Sequence, residues 1–133
     1  MRKEILERTN RWIKKAEKDL LSAKKLLEAG IYDYSLFHSE QAVEKYLKAV
    51  LTYYNIPFQR THNILKLVRV CSAIDKDYHK LKELNLSILF PLGIEVRYPE
   101  AETEITEQDA REAIDVAEKV RNFILRKLNI KNL

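Results

Sequence analysis

The stretch "FHSEQAVEKYLKAV", residues 37–50, sets His38, Gln41, Glu44, Lys45 and Lys48 at spacings of three, four and seven residues. On an α-helix these five fall within about 120° of arc. Grouped in this way they can hold an anion: Lys45 and Lys48 supply charge for phosphate, while Gln41 and His38 offer hydrogen bonds to a base or ribose. The same spacing also suits a solvated helix face, the commonest use of Lys and Glu on a helix. Two further places carry chemistry-bearing residues. In "RTHNILKL", His62 opens a helical pattern just after Arg60, where its ring can cap the helix or meet an anion alongside free backbone N–H groups. In "VRYPE", Arg97 and Tyr98 precede a Pro within an acidic stretch, so they can clamp a phosphate or base, or Arg97 can pair with Glu95 or Glu100. His79, in "DYHKLK", reads as surface.

The sequence has no paired-Cys metal motif, HExxH, Gly-rich phosphate loop or Gly-x-Ser-x-Gly, so neither a metal nor a cofactor is expected. The lone cysteine, Cys71, lies in an apolar helical pattern and reads as a buried thiol. The charged start "MRKEILERTNRWIKK" and the lack of a long apolar run predict a cytoplasmic protein with no membrane segment.

The elements that must position these residues are helices. The 133-residue chain has only two Gly and three Pro, and its apolar fraction is 46%. These numbers predict a single domain over residues 1–133, folded as an all-α, up-and-down bundle of four main helices plus a short one. The first helix is expected from about Lys3 to Ala29, with Ile5, Trp12, Ala16, Leu20, Ala23 and Leu27 as its apolar stripe and Gly30 as its stop. Asp19 falls inside that stripe, and a carboxylate there requires a partner, which a Lys of the neighbouring second helix can supply as the alternative to phosphate binding. Arg11, Lys14, Lys18 and Lys25 form a basic stripe on the opposite side, suited to solubility or to nucleic-acid phosphate.

The second helix is expected from "IYDYS", capped by Asp33, to about Tyr54. It is apolar over more than half its circumference and therefore central. Thr61 is the expected cap of a third helix with Ile64, Leu65, Val68 and Cys71 on one side, and "DYHKLKELNLSILF" reads as a short fourth. Residues 91–105 lose periodicity and form one long connection. Thr106, with Glu107 and Asp109 in the first turn, opens a last helix whose stripe is Ala113, Ala117, Val120, Ile124 and Leu128. Charge is unevenly spread: residues 1–30 hold nine Lys or Arg against five Asp or Glu, and residues 95–118 hold nine acids against Arg97 and Arg111. The two regions can pair within one molecule or between two.

Taken in order, "WIKKAEKDLLSAKKLLEAGIYDYSLFHSEQAVEKYLKAVL", "RTHNILKL", "VRYPEAE" and "DAREAIDVAEKV" resemble the HEPN family, named for a nucleotide-binding domain of higher eukaryotes and prokaryotes. The resemblance covers nearly the whole chain. It implies a helical bundle, commonly a homodimer, and a partner that is a minimal nucleotidyltransferase, often in a toxin–antitoxin pair. Many members are metal-independent ribonucleases that use an Arg, four to six intervening residues and a His. That motif is absent here. The positions that would have to carry the Arg for His38, His62 and His79 are residues 31–33, 55–57 and 72–74, and none is Arg. The expectation is therefore a nucleotide- or polyanion-binding partner of a nucleotidyltransferase, with RNA as a further candidate ligand. Its site is His38, Gln41, Lys45, Lys48, His62, Arg97 and Tyr98, with no catalytic residue assigned. The alternatives are a ribonuclease with a degenerate site using His62 or His38, and a purely structural partner.

Overall fold

The computed structural model describes residues 2–58, 60–90 and 104–130. Four α-helices lie along it: α1 (Arg2–Glu28), α2 (Tyr32–Tyr53), α3 (Ile64–Ile74) and α4 (Glu107–Lys127). Two short 3₁₀ segments, Lys76–Glu83 and Leu86–Leu89, follow α3. The fold is the expected all-α bundle. Arg97 and Tyr98, with most of the expected 91–105 connection, lie outside the described residues.

Helix α1 buries Ile5, Ile13, Ala16, Leu20 and Ala23 at helical spacing. The centre of its stripe is Ile13, rather than Trp12, which is only partly buried with Leu27 at the margin. Thr9 lies on the same buried arc because its hydroxyl donates to the Ile5 carbonyl at 2.8 Å and needs no other partner. Helices α1 and α2 pack along one another more extensively than any other pair, and α4 packs on both, chiefly on α2. As expected of a central helix, α2 leaves Leu36, Val43, Tyr46, Leu47, Val50 and Leu51 with no exposed surface.

Three helices end by one device. Gly30, Asn55 and Asn129 adopt left-handed backbone with φ of 78°, 55° and 56°, and each is followed by Ile. After α1, the Gly30 N–H donates to Leu27 and the Ile31 N–H to Leu26; Asn55 with Ile56 and Asn129 with Ile130 repeat this pair of bonds. Gly and Asn tolerate this backbone, and the Ile after them carries the second bond. The single Gly30 turn sends α2 straight back along α1.

Several expected local details differ. Asp33 does not cap α2: the N-cap is Ile31 without a side-chain bond, and Asp33 lies in the first turn, where its carboxylate accepts the Tyr34 N–H at 2.8 Å. The α3 cap is Asn63, which accepts the Lys66 N–H at 3.0 Å, while Thr61 accepts the Asn63 N–H in the preceding turn. With α3 starting at Ile64, its buried arc is Ile64, Leu67, Val68 and Cys71, and Leu65 is half exposed. The expected short fourth helix is the pair of 3₁₀ segments. Its apolar residues recur every three positions, Tyr78 to Leu81 to Leu84 and then Leu86 to Leu89, and this is the 3₁₀ period. Thr106 is the cap of α4 as expected, in a reciprocal capping box with Asp109, and all five residues of the expected α4 stripe are buried.

Near its C-terminus α4 is fastened to the first 3₁₀ segment by Lys127, whose ammonium donates to Asp75 at 2.7 Å and Asp77 at 3.0 Å. The Lys127 hydrogen bond holds the Asp75 carboxyl below its ordinary value. A carboxylate depressed by folding contributes stability that is complete above its unfolded value and is lost as pH falls through the folded one. The melting temperature of Lys127→Met should therefore lie below the parent's near neutrality, and the difference should shrink as pH falls below about 4. A gap unchanged by acid would disprove the contribution of this tether.

Candidate functional site

The polar strip of α2 does not face open water. It faces α1 and the start of α3, and is organised around two carboxylates. Asp19 of α1, the residue whose sequence position demanded a partner, is gripped by two residues of α2. His38 bonds Asp19 Oδ1 through Nδ1 at 2.8 Å, and Lys45 donates to Oδ2. Glu44, on α2 itself, accepts Lys48 on Oε2 at 2.9 Å and His62 Nδ1 on Oε1 at 2.8 Å. Each carboxylate thus has one Lys and one His. In both pairs a carboxylate acceptor places a proton on Nδ1 and leaves Nε2 as the nitrogen available to anything else.

Burial separates the members. The side chains of Glu44 and Lys48 are 3% and 8% exposed, whereas that of His62 is 69% exposed. The Lys48 ammonium also lies over the rings of Trp12 and Phe58, at 5.6 and 6.0 Å from their centroids. Of the two uses open to the lysines of the strip, carboxylate pairing or phosphate binding, the pairing is present: Lys45 and Lys48 each neutralise a carboxylate in partly or fully buried surroundings.

Above this floor opens a cleft of about 570 Å³. Its α2 side is Gln41, Glu44, Lys45 and Lys48, His62 stands at one edge, and α1 contributes Arg8, Arg11, Trp12 and Lys15. Four expected site residues, Gln41, Lys45, Lys48 and His62, are brought together there. His38 is linked to them only through Asp19 and is not part of the lining. Arg8 and Lys15 were not anticipated, although a wheel places them about 20–40° beyond Asp19, at the edge of the buried arc. Of the expected basic stripe only Arg11 reaches the cleft; Lys14 and Lys25 are exposed elsewhere, and Lys18 lines a separate groove between α1 and α4.

That second groove is built on the buried Tyr46, whose hydroxyl donates to Glu17 Oε1 at 2.5 Å, and on Arg121, whose Nε donates to the same oxygen at 2.6 Å. Burial and the Glu17 hydrogen bond push the Tyr46 hydroxyl well above its ordinary value. It serves as a neutral donor joining α1, α2 and α4. Lys24 and Glu118, 2.5 Å apart, link the basic first helix to the acidic region within one molecule. His79 is exposed, as expected. Burial raises the Cys71 thiol to about 12, so the sulfur stays protonated and inert. Among the described residues no group of His, Cys, Asp and Glu side chains could hold a metal ion.

A model of the HEPN domain matches residues 9–128. The chain belongs to the HEPN family. A relative from Methanocaldococcus jannaschii, named "Putative toxin MJ1304", is 34% identical over 140 aligned positions that cover 92% of this chain and 91% of the relative. Two solved structures share the fold. The crystal structure of TT1696 from Thermus thermophilus superposes with a TM-score of 0.76 at 28% identity, covering 90% of this chain and 98% of the other. ST0689, described as an archaeal HEPN homologue, superposes with a TM-score of 0.63, also at 28% identity, covering 90% and 96%. The bundle built around the Asp19 and Glu44 clusters is thus a HEPN bundle.

The buried pair makes a distinct stability prediction. Lys48→Ala strands the Glu44 carboxylate beside one exposed imidazole and should cost about 3 kcal/mol in urea unfolding. His62→Ala, removing a largely exposed partner, should cost about 1 kcal/mol or less. Combining Lys48→Met with Glu44→Leu should recover most of the Lys48→Ala loss, because no buried charge is left unpaired. Equal costs for Lys48→Ala and His62→Ala would show that burial does not set the energetics here.

Proposed function

We propose that this HEPN chain is the binding partner of a minimal nucleotidyltransferase in a toxin–antitoxin-like pair, and that it takes a nucleotide or other polyanion in the α1–α2 cleft. The observation that carries the reading is the cleft's charge: Arg8, Arg11 and Lys15 line it beside Lys45 and Lys48, which Asp19 and Glu44 neutralise, with His62 and Gln41 available for hydrogen bonds. Family membership and the name of the Methanocaldococcus relative support the toxin–antitoxin setting. In this reading the chain acts as a single domain and a homodimer in the cytoplasm. Arg97 and Tyr98 add a charge and a stacking surface. No described helix is long and apolar enough to cross a membrane.

A second reading has its own observation. The Glu44 carboxylate holds His62 by Nδ1 beside a cationic cleft, leaving Nε2 for proton transfer. A carboxylate-oriented imidazole beside phosphate-binding cations can take the proton of a ribose 2′-OH while the cations stabilise charge on phosphorus. This arrangement would serve a metal-independent ribonuclease that lacks the usual Arg–His spacing.

Three measurements separate the possibilities. A nucleotide panel should raise the melting temperature of the full chain, and a purified nucleotidyltransferase partner should be retained by it in a pull-down. Capture of the nucleotidyltransferase without any nucleotide-dependent shift would leave a purely structural partner. RNA cleavage in the presence of a chelator, lost in His62→Ala, would favour the ribonuclease; cleavage unaffected by both His62→Ala and His38→Ala would remove that reading.

A further inference from the structure

Within the cleft the cations are not equivalent. Lys45 is matched to Asp19 and Lys48 to Glu44, so these two leave no net charge for a ligand. Arg8, Arg11 and Lys15 are exposed, and no carboxylate among the described residues pairs with them. Among the described residues, the uncompensated charge of the cleft is theirs. They stand on one helix at i, i+3 and i+7, so they form a row about 10 Å long along the α1 axis, with Trp12 between them and the α2 wall.

We infer that this row, and not Lys45 or Lys48, is the ligand-binding element of the cleft, and that it is built for a run of at least three consecutive phosphates. The inference rests on the proposed anion-binding role and deepens it. A single phosphate can be reached by one or two members of a row this long, and the remaining charge is then left unmatched. A chain of phosphates presents an anionic group to each member in turn. Two of the three cations are Arg, whose planar fork meets two phosphate oxygens at once. Lys45 and Lys48 are positioning residues: by neutralising Asp19 and Glu44 they keep buried carboxylates from repelling the ligand. Gln41 and His62 line the same cleft, but the run of phosphates is held by the row. The shared chemistry has two sources, the triphosphate tail of a nucleotide and the backbone of a single-stranded nucleic acid.

The test is a binding series on the full-length protein by calorimetry: orthophosphate, pyrophosphate, tripolyphosphate, AMP, ATP, a uridine oligonucleotide with three phosphates, and hexaglutamate. Affinity should rise at least tenfold from one phosphate to three, with ATP close to tripolyphosphate. Arg8→Gln, Arg11→Gln and Lys15→Gln should each weaken tripolyphosphate about tenfold and make binding less salt-dependent by about one counterion. Lys14→Gln, on the same helix but outside the cleft, should leave binding unchanged. Tighter binding of the oligonucleotide than of ATP would support the row and assign it to a nucleic-acid backbone, and the reverse order would support it and assign it to a triphosphate. AMP binding as tightly as ATP, or hexaglutamate as tightly as tripolyphosphate, would overturn the inference while anion binding itself stood. No binding by any phosphate compound would overturn both.

Discussion

The Asp19 carboxylate is the constraint around which the α1–α2 pair is arranged. It sits on the buried arc of α1, in a position that would be costly without compensation, and both of its oxygens are taken by residues of α2 two helical turns apart. Apolar contacts alone would tolerate some sliding and rotation of two long helices. A carboxylate that must meet His38 and Lys45 together does not, because one residue of slip turns it by about 100°. The Glu44 cluster does the same for the approach to α3. It ties a buried acid to Lys48 and to the imidazole that precedes the Asn63 cap. The polar strip of α2 is therefore first a set of fastenings, and the cleft lies directly over them.

Much of the fold was legible because its signals are strong over long windows. Gly30, the Thr106 capping box and the five-residue stripe of α4 mark element boundaries and faces without ambiguity. Errors arose where a decision rested on one or two neighbouring residues. Trp12 and Ile13 are adjacent apolar positions, and only packing decides which points inward. Thr61 and Asn63 are both good capping residues. Asn63 takes the cap because the chain enters its helical path at Ile64. Apolar residues three apart, such as Tyr78, Leu81 and Leu84, also share one face of an α-helix, so a 3₁₀ segment of eight residues reads as a short α-helix.

The site was legible in its residues more than in their roles. Gln41, Lys45, Lys48 and His62 do converge, but helix arithmetic could not show that the strip faces another helix and that its lysines are engaged. The place of Asp19 in the apolar stripe pointed to a Lys partner on the second helix, and the uneven charge pointed to pairing of the first helix with the acidic region; the Lys45–Asp19 and Lys24–Glu118 contacts are the outcome. Arg8 and Lys15 escaped notice because cations at the edge of an apolar arc look like the ordinary margin of an amphipathic helix. Only α2, lying alongside, turns that margin into the wall of a cleft.

The tight reversal at Gly30 also bears on when the cleft can exist. Every residue lining it lies between Arg8 and His62, and the helices that carry most of them are joined by a three-residue turn. Contacts between such sequence neighbours form early in folding, because little loop-closure entropy opposes them. During synthesis the α1–α2 hairpin, with Asp19 already between His38 and Lys45, can come together while α4 is still unmade. The last helix then completes the core without contributing to a cationic face that the growing chain has already assembled.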